Sequence, residues 1–384
     1  MNLRRVFAVS HKEWREIVRD RVFFALAFLV PVSMMILLGY GLSLDVEGIP
    51  LAVLDEDHSS TSRDYAYRFI GSRYFDFRGY VTSERALNAL LTENRIRAAI
   101  VIPPEFEKRL LSGKSAPVQT LIDGTFPFRA QTTKGYIVAI NAAANMDLLA
   151  AHLSKAFGVS QEMVRDRLQP VRLETRYLYN QSLKSIWSLA PKLVMLILMI
   201  SPPFLTALGV VREKESGSIY NIYVSTVSRG EFLVGKLFPY VAISMVNAGV
   251  LFVLATALFG APFKGSAATF FAATLLYVIC TTGIGLLVSV FVRTQIAAMI
   301  VVSIITLVPA VLYSGVLIPV FSLETTARMV AHILPAMYYT NIVTSCFMKG
   351  IGIASFWPDV VVLAGYALLL MGLGYALFRK RTKG

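Results

Sequence analysis

Cysteine is almost missing from this sequence: there are two in 384 residues, Cys280 in mid-span of an apolar run and Cys346 in a loop region. No disulfide framework can be read from them, and both are assigned to packing. The four histidines, His11, His58, His152 and His332, show no ligand spacing, so no metal site is expected. Neither G-x-S-x-G nor H-E-x-x-H occurs. Charge is scarce too, at 16% of residues. With 55% hydrophobic residues and a mean hydropathy of +0.61, the chain is too apolar for a soluble globular protein. A polytopic membrane protein remains.

Nucleotide chemistry is absent as well. Gly230-x4-Gly235-Lys236 matches a phosphate-binding loop until Leu237 stands where Ser or Thr should hold magnesium, and Glu231 to Val234 reads as helix. Gly113-Lys114-Ser115 has the ending, but Lys108 replaces the first glycine. No catalytic residue is expected in this chain.

What is there is a set of long uncharged runs with basic flanks. Val22–Leu42, Leu193–Val211, Leu237–Phe259, Phe270–Val292, Ile296–Ile318 and Val360–Phe378 each reach the ~20 residues that one helix needs to cross ~30 Å of hydrocarbon. Pro31 breaks the first and Pro202-Pro203 interrupt the second. The formal charge of +13 does not mean nucleic acid, because the excess of bases lies in short segments beside these runs, including Arg212, Arg293 and Arg379–Arg381. That is the positive-inside pattern. The run Met329–Met348 contains His332, Pro335 and Asn341. If it crossed, the basic C-terminus would end outside, so it is expected to dip in or lie at the outer interface.

Six transmembrane helices result, residues 22–42 being the first and residues 186–384 holding the second to sixth, with both termini cytoplasmic. Residues 1–21 form an amphipathic helix, with Leu3, Val6, Phe7, Trp14, Ile17 and Val18 on one side and bases elsewhere, suited to an interface with anionic lipid. The charge-rich start precedes a run of full spanning length without a cleavage site, so it is expected to remain as an anchor. The spans hold few polar side chains and no charge at depth. This disfavours proton coupling. Thr206, Asn247, Thr306 and Tyr313 are the candidates for a substrate path.

Residues 43–185 are the one soluble-looking portion, with 18 bases and 16 acids. Pro50–Leu54, Arg97–Ile102 and Val118–Ile122 read as strands and Tyr74–Val81 alternates weakly. Helices are expected at Ser62–Ile70, Ser83–Leu91, Pro104–Leu111, Phe128–Phe157 and Val159–Leu168. The alternation predicts an inserted extracytoplasmic α/β domain.

Between the second and third runs lies a charged island of 25 residues, Arg212–Lys236. Ile219, Ile222 and Tyr223 give a one-sided stripe if helical, with Glu213 and Glu215 expected in the first turn of that helix. Ser228-x-x-Glu231 is a capping box for the next helix. Arg-Glu-Lys-Glu at a helix end, then Gly217-Ser218-Ile219, a further turn, and Gly235-Lys236-Leu237 resemble the coupling region of type-2 ABC exporter permeases. At Ser225-Thr226 that family commonly has Thr-Pro or Ser-Pro. Elsewhere along the chain the likeness is one of element order.

The resemblance implies a coupling helix at 213–225, with Glu213, Glu215, Gly217, Ser218, Ile219, Ile222 and Tyr223 meeting a separate ATPase subunit. ATP and magnesium would sit on that partner, with no cofactor in this chain. It further implies a bacterial inner-membrane location and a second permease subunit, either another copy or a paralogue. A periplasmic adaptor is a further partner. The uncharged spans favour an amphiphilic or hydrophobic cargo, such as a drug, lipid or lipid-linked compound. A receptor using the outer domain to bind a ligand is the alternative, but its output module finds no room in a 25-residue island.

Overall fold

The computed structural model describes residues 2–42, 45–168, 171, 174–218 and 227–378. It divides into two units, Met1–Leu44 with Arg176–Gly384, and Asp45–Thr175.

The first unit opens with α1 (Leu3–Arg19), capped by the Asn2 side chain. Asp20 ends it and caps α2 (Arg21–Gly41), accepting from the Val22 and Phe23 amides at 3.0 and 3.1 Å. Proline at position 31 has no N–H for the Ala27 carbonyl. The helix therefore widens to a π turn over Ala25–Leu29, and the Asn247 side-chain amide donates to the Ala27 carbonyl at 2.7 Å. The first run bends its bonding pattern there without breaking.

The second unit is a four-stranded sheet with helices on both faces. In chain order it runs β1 (Ile49–Asp55), α3 (Ser60–Ile70), β2 (Phe75–Val81), α4 (Glu84–Thr92), β3 (Ala98–Ile102), α5 (Phe106–Leu111), β4 (Gln119–Ile122), α6 (Pro127–Phe157) and α7 (Gln161–Leu168). The strand order is β2-β1-β3-β4, with β1 parallel to β2 and β3, and β4 antiparallel to β3. Leu51, Val53, Ala98 and Ile100 meet Tyr65, Phe69, Phe106 and Ile137 on one face; Ala52, Leu54, Ala99 and Val101 meet Leu87 and Ile96 on the other. Cover on both faces is why β1 and β3 read as unbroken apolar runs. Pro104 lies before α5, not at its start, and the weakly alternating 74–81 stretch is an edge strand.

The chain returns to the first unit with α8 (Ser185–Glu215), α9 (Arg229–Leu258), α10 (Ala267–Phe291), α11 (Gln295–Tyr313), α12 (Thr325–Ile333), α13 (Pro335–Thr344) and α14 (Trp357–Leu377). Helix α8 is the hub, buried from Leu189 to Val211 almost without a gap and packed against α9, α10, α11 and α13. Apolar side chains gain little by leaving lipid for one another, so close packing must hold such helices together. At Gly285 of α10 a Cβ would lie 2.4 Å from the Pro203 carbonyl oxygen, so the α8 and α10 backbones touch there. Phe252, Phe263, Phe270 and Phe347 form an edge-on aromatic cluster at another crossing, and Tyr277 stacks on Tyr339 at 4.1 Å.

Several expectations are corrected. Pro191, Pro202 and Pro203 do not interrupt α8, which runs through them for 31 residues. Neighbouring helices can tolerate such prolines. The helix starts at Ser185, so Lys192 falls inside it, donating to the Gly315 carbonyl at 3.0 Å. Cys346 lies in a buried π turn, Ser345–Lys349, and not in a loop. The Met329–Met348 run is two short helices broken before Pro335, α12 largely exposed and α13 largely buried. Neither has the length to cross a bilayer. Among the described residues seven helices are long and apolar enough to span; six belong to the first unit, and the seventh, α6, packs Ile137 and Ala144 against the sheet.

Candidate functional site

The last turn of α8 binds a different element with each of four consecutive residues. The Arg212 guanidinium pairs with Asp20, at the start of α2, at 2.6 Å. Glu213 receives the Lys12 ammonium of α1 at 2.6 Å and the Lys236 ammonium of α9 at 2.9 Å. Lys214 donates to the Ser289 and Val290 carbonyls at the end of α10. Glu215 accepts from the Gln295 amide and side chain, at 3.2 and 2.9 Å, at the start of α11. Five elements are thereby fixed to one helical turn.

At the centre lies a buried charge cluster. Lys236 is 1% exposed and also reaches the Glu13 carboxylate at 2.6 Å, while the Tyr240 hydroxyl donates to the other Glu13 oxygen at 2.8 Å. Buried charges of this kind persist only when paired and hydrogen-bonded. Burial pushes the Glu13 carboxyl above its ordinary range, Lys236 pulls against it and Glu213 adds to it. For Lys12 burial works downward, but the Glu213 carboxylate outweighs it and the ammonium is held above its usual pKa. Asp20 sits below the ordinary carboxylate range, chiefly through the Phe23 amide and with help from Arg212.

Helix α1 reaches this cluster by docking along α9. A Cβ at Gly235 would lie 2.9 Å from the Val6 carbonyl, so glycine permits the approach, and the Ser10 hydroxyl donates to the Gly235 carbonyl at 2.7 Å. The Ser228–Glu231 capping box forms with both bonds in place, and Glu231 also accepts from the Asn2 amide at 2.6 Å. The carboxylates of Glu13, Glu16 and Glu213 approach one another within 4.8 Å. Two ammonium groups are already shared among the three, Lys12 with Glu16 and Glu213 and Lys236 with Glu13 and Glu213, so the group reads as an ion-pair network and not a metal cage. The near-miss phosphate loop is helix, and its lysine is committed to Glu13 and Glu213.

The structure moves some of the expected coupling residues. Glu213 and Glu215 lie in the last turn of α8, not the first turn of a following helix. Glu213 faces inward, 4% exposed. The cation network replaces the helix-start dipole as the source of its stabilisation, since a carboxylate at a helix C-terminus is otherwise disfavoured. Gly217 adopts φ +72°, the left-handed conformation that follows a helix end, and Ser218 folds back with its hydroxyl 3.0 Å from Ser216. Ile219, Ile222 and Tyr223 lie outside the described residues.

The candidate path residues fall on three helices, Thr206 on α8, Asn247 on α9, Thr306 and Tyr313 on α11. The Thr206 and Thr306 hydroxyls are buried and bond carbonyls one turn back in their own helices, at 2.8 Å each. Asn247 is committed to the carbonyl left over by Pro31. Tyr313, partly exposed, is less constrained.

Sequence reasoning missed Glu13, Lys236 and Tyr240. One signal existed: Glu13 stands between Val9 and Ile17 on a single i, i+4 row of α1, an acid within an apolar row.

Comparison with known proteins adds to this geometry. The model of the ABC-2 family transporter protein matches residues 21–376. The chain is 28% identical to the probable multidrug ABC transporter permease YbhS of Escherichia coli (strain K12), covering 99% of this chain and 98% of that one. It is 25% identical to the probable multidrug ABC transporter permease YbhR of the same organism, over 98% and 99%. With the linearmycin resistance permease protein LnrN of Bacillus subtilis (strain 168) it shares 20% identity, over 98% and 100%.

Proposed function

The chain belongs to the ABC-2 transporter family and is a multi-pass ABC transporter permease, and on that premise we propose that it exports an amphiphilic or hydrophobic compound, driven by a separate ATPase docking on the segment after α8, residues 216–225. The observation that carries the coupling reading is the last turn of α8. Residues 219–226 follow after the short turn of Ser216, Gly217 and Ser218, and a push on them reaches α1, α2, α9, α10 and α11 through the side chains of Arg212, Glu213, Lys214 and Glu215. Rigid attachment to five elements converts a displacement of the docking segment into a movement of the spanning helices instead of a bend in a loop.

In this reading the six long helices of the first unit cross the inner membrane, both termini are cytoplasmic, and the unit Asp45–Thr175 lies outside, where it can meet a periplasmic adaptor. A second permease, another copy or a paralogue, completes the pathway. ATP and magnesium bind the partner ATPase. The relatives, multidrug permeases and a linearmycin resistance permease by name, favour an apolar or amphiphilic cargo.

The test reconstitutes the permease with its ATPase and measures cargo-stimulated ATP hydrolysis in wild type, Ile219→Asp and Tyr223→Ala. Stimulation is expected to fall with insertion unchanged, Tyr223→Ala weakening docking by about 2 kcal/mol, roughly thirtyfold. Full coupling in both variants would overturn the docking assignment.

A further inference from the structure

Helix α1 has three faces. At 100° per residue, Val6, Val9, Glu13 and Ile17 form the face docked on the helices behind. Leu3, Phe7, Trp14 and Val18 point away from that face, exposed by 74, 71, 44 and 50%. His11, Arg15 and Arg19 stand on a third face, one helical turn apart from one another.

The apolar face and α9 enclose a groove of about 470 Å³, walled by Leu3, Phe7 and Trp14 on one side and Val234, Phe238 and Ala242 on the other. Beside it, on the basic face, is a second hollow of about 640 Å³ lined by His11, Arg15 and Arg19, with Lys12 and Arg212 and the acids Glu16 and Asp20 that these two bind. His11 borders both. The other two cations of that hollow are already matched, Lys12 with Glu213 and Arg212 with Asp20. Among the described residues, Arg15 and Arg19 have no carboxylate within ion-pair distance.

We propose that this groove and the adjoining basic hollow form a binding site for one anionic phospholipid, its acyl chain lying between α1 and α9 and its phosphate held by Arg15 and Arg19. Charge complementarity selects the occupant. An apolar trough continuous with uncompensated cations matches a molecule that carries a tail and an anion together. Basic pockets beside spanning helices recognise anionic headgroups in this way, and a tryptophan at the boundary suits the headgroup level. The opposite face of the same helix carries Glu13, so lipid occupancy bears on the element that closes the buried cluster. The inference rests on α1 lying at a membrane surface, and not on the ATPase partnership. A permease that fails to stimulate an ATPase still reports on it.

Trp14 supplies the probe. With Trp187→Phe and Trp357→Phe it becomes the sole tryptophan of the full chain, which is placed in phosphatidylcholine vesicles containing doxyl-labelled phosphatidylglycerol or doxyl-labelled phosphatidylcholine. Quenching of Trp14 by the anionic lipid should reflect an affinity preference on the order of thirtyfold for two arginine contacts. The preference is expected to vanish in Arg15→Gln/Arg19→Gln. Ala242→Ile, which narrows the groove and leaves the bases in place, is expected to reduce quenching by either lipid. Equal quenching by both lipids in the parent protein would overturn the proposal, as would a preference that survives loss of both arginines. If the double variant loses ATPase association while lipid preference persists, the basic face belongs to a protein partner and the lipid site falls. Should the double variant fail to insert, Ala242→Ile decides, since unchanged quenching there removes the acyl groove.

Discussion

The Glu13 carboxylate and the Lys236 ammonium stand 2.6 Å apart, both almost fully buried, although 223 residues separate them in sequence. Lys236 also pairs with Glu213, so its removal leaves the buried Glu13 carboxylate without a cation and Glu213 with Lys12 alone. Lys236→Met is expected to destabilise the permease by about 3–5 kcal/mol. Glu13→Gln should cost far less, because it leaves Lys236 paired with Glu213 and the amide oxygen can still accept from the Tyr240 hydroxyl. The raised Glu13 pKa means that this carboxyl favours the folded state below its unfolded pKa and loses that contribution as pH rises through the folded value. Thermal unfolding in detergent of both single variants and the double variant checks this; equal costs for the two singles would refute it.

The contact of α10 with α8 gives a second expectation. In Gly285→Ala the new Cβ would meet the Pro203 carbonyl at 2.4 Å and its Cα at 2.8 Å, and backbone cannot swing aside as a side chain can. A loss of about 1–3 kcal/mol is expected from the forced separation. Gly365→Ala on α14, where nothing lies within 4 Å, is the control and should be neutral or slightly stabilising. Similar melting temperatures for the two would show that the close approach does not matter.

Asp45–Thr175 closes its own core on both sheet faces, so residues 45–175 expressed alone are expected to fold with a mixed α/β circular dichroism spectrum. Within it, the hydroxyl and amide of Thr125, with Arg97 adding to them, hold the Asp123 carboxyl down to about 2. Its contribution to stability is therefore present above the unfolded value of about 3.9 and is lost as pH falls from there through about 2. Melting of Asp123→Asn should lack that part of the acid dependence; identical acid profiles would count against the assignment.

Topology is open to cysteine labelling. With the buried Cys280 and Cys346 replaced by Ala, Thr325→Cys and Gly352→Cys are expected to react from outside, and Arg293→Cys only after permeabilisation. Gly352 serves better than Gly350, which has φ +65° and a Lys264 Cβ 2.8 Å from any added side chain. All three positions reacting from one side would end the six-crossing reading.

By itself the sequence determined the elements whose signal is local. Spanning helices announce themselves by uncharged length, because a helix satisfies its backbone hydrogen bonds within one continuous segment in hydrocarbon. The β1 and β3 runs betrayed a two-sided sheet, and Ser228 with Glu231 marked a helix start that formed as read. Tertiary structure decided whatever depended on a distant partner. Pro31 and Pro202-Pro203 looked like breaks, but whether a proline breaks a helix depends on who takes the freed carbonyl, and Asn247 sits 220 residues from Ala27. Glu213 looked like a docking charge in the first turn of a coupling helix. It became the buried partner of Lys12 and Lys236 because α8 continues to Glu215 and α1 folds back along α9. No local pattern encodes that meeting, since its physical cause is the cost of leaving any one of these charges unpaired once the helices have packed.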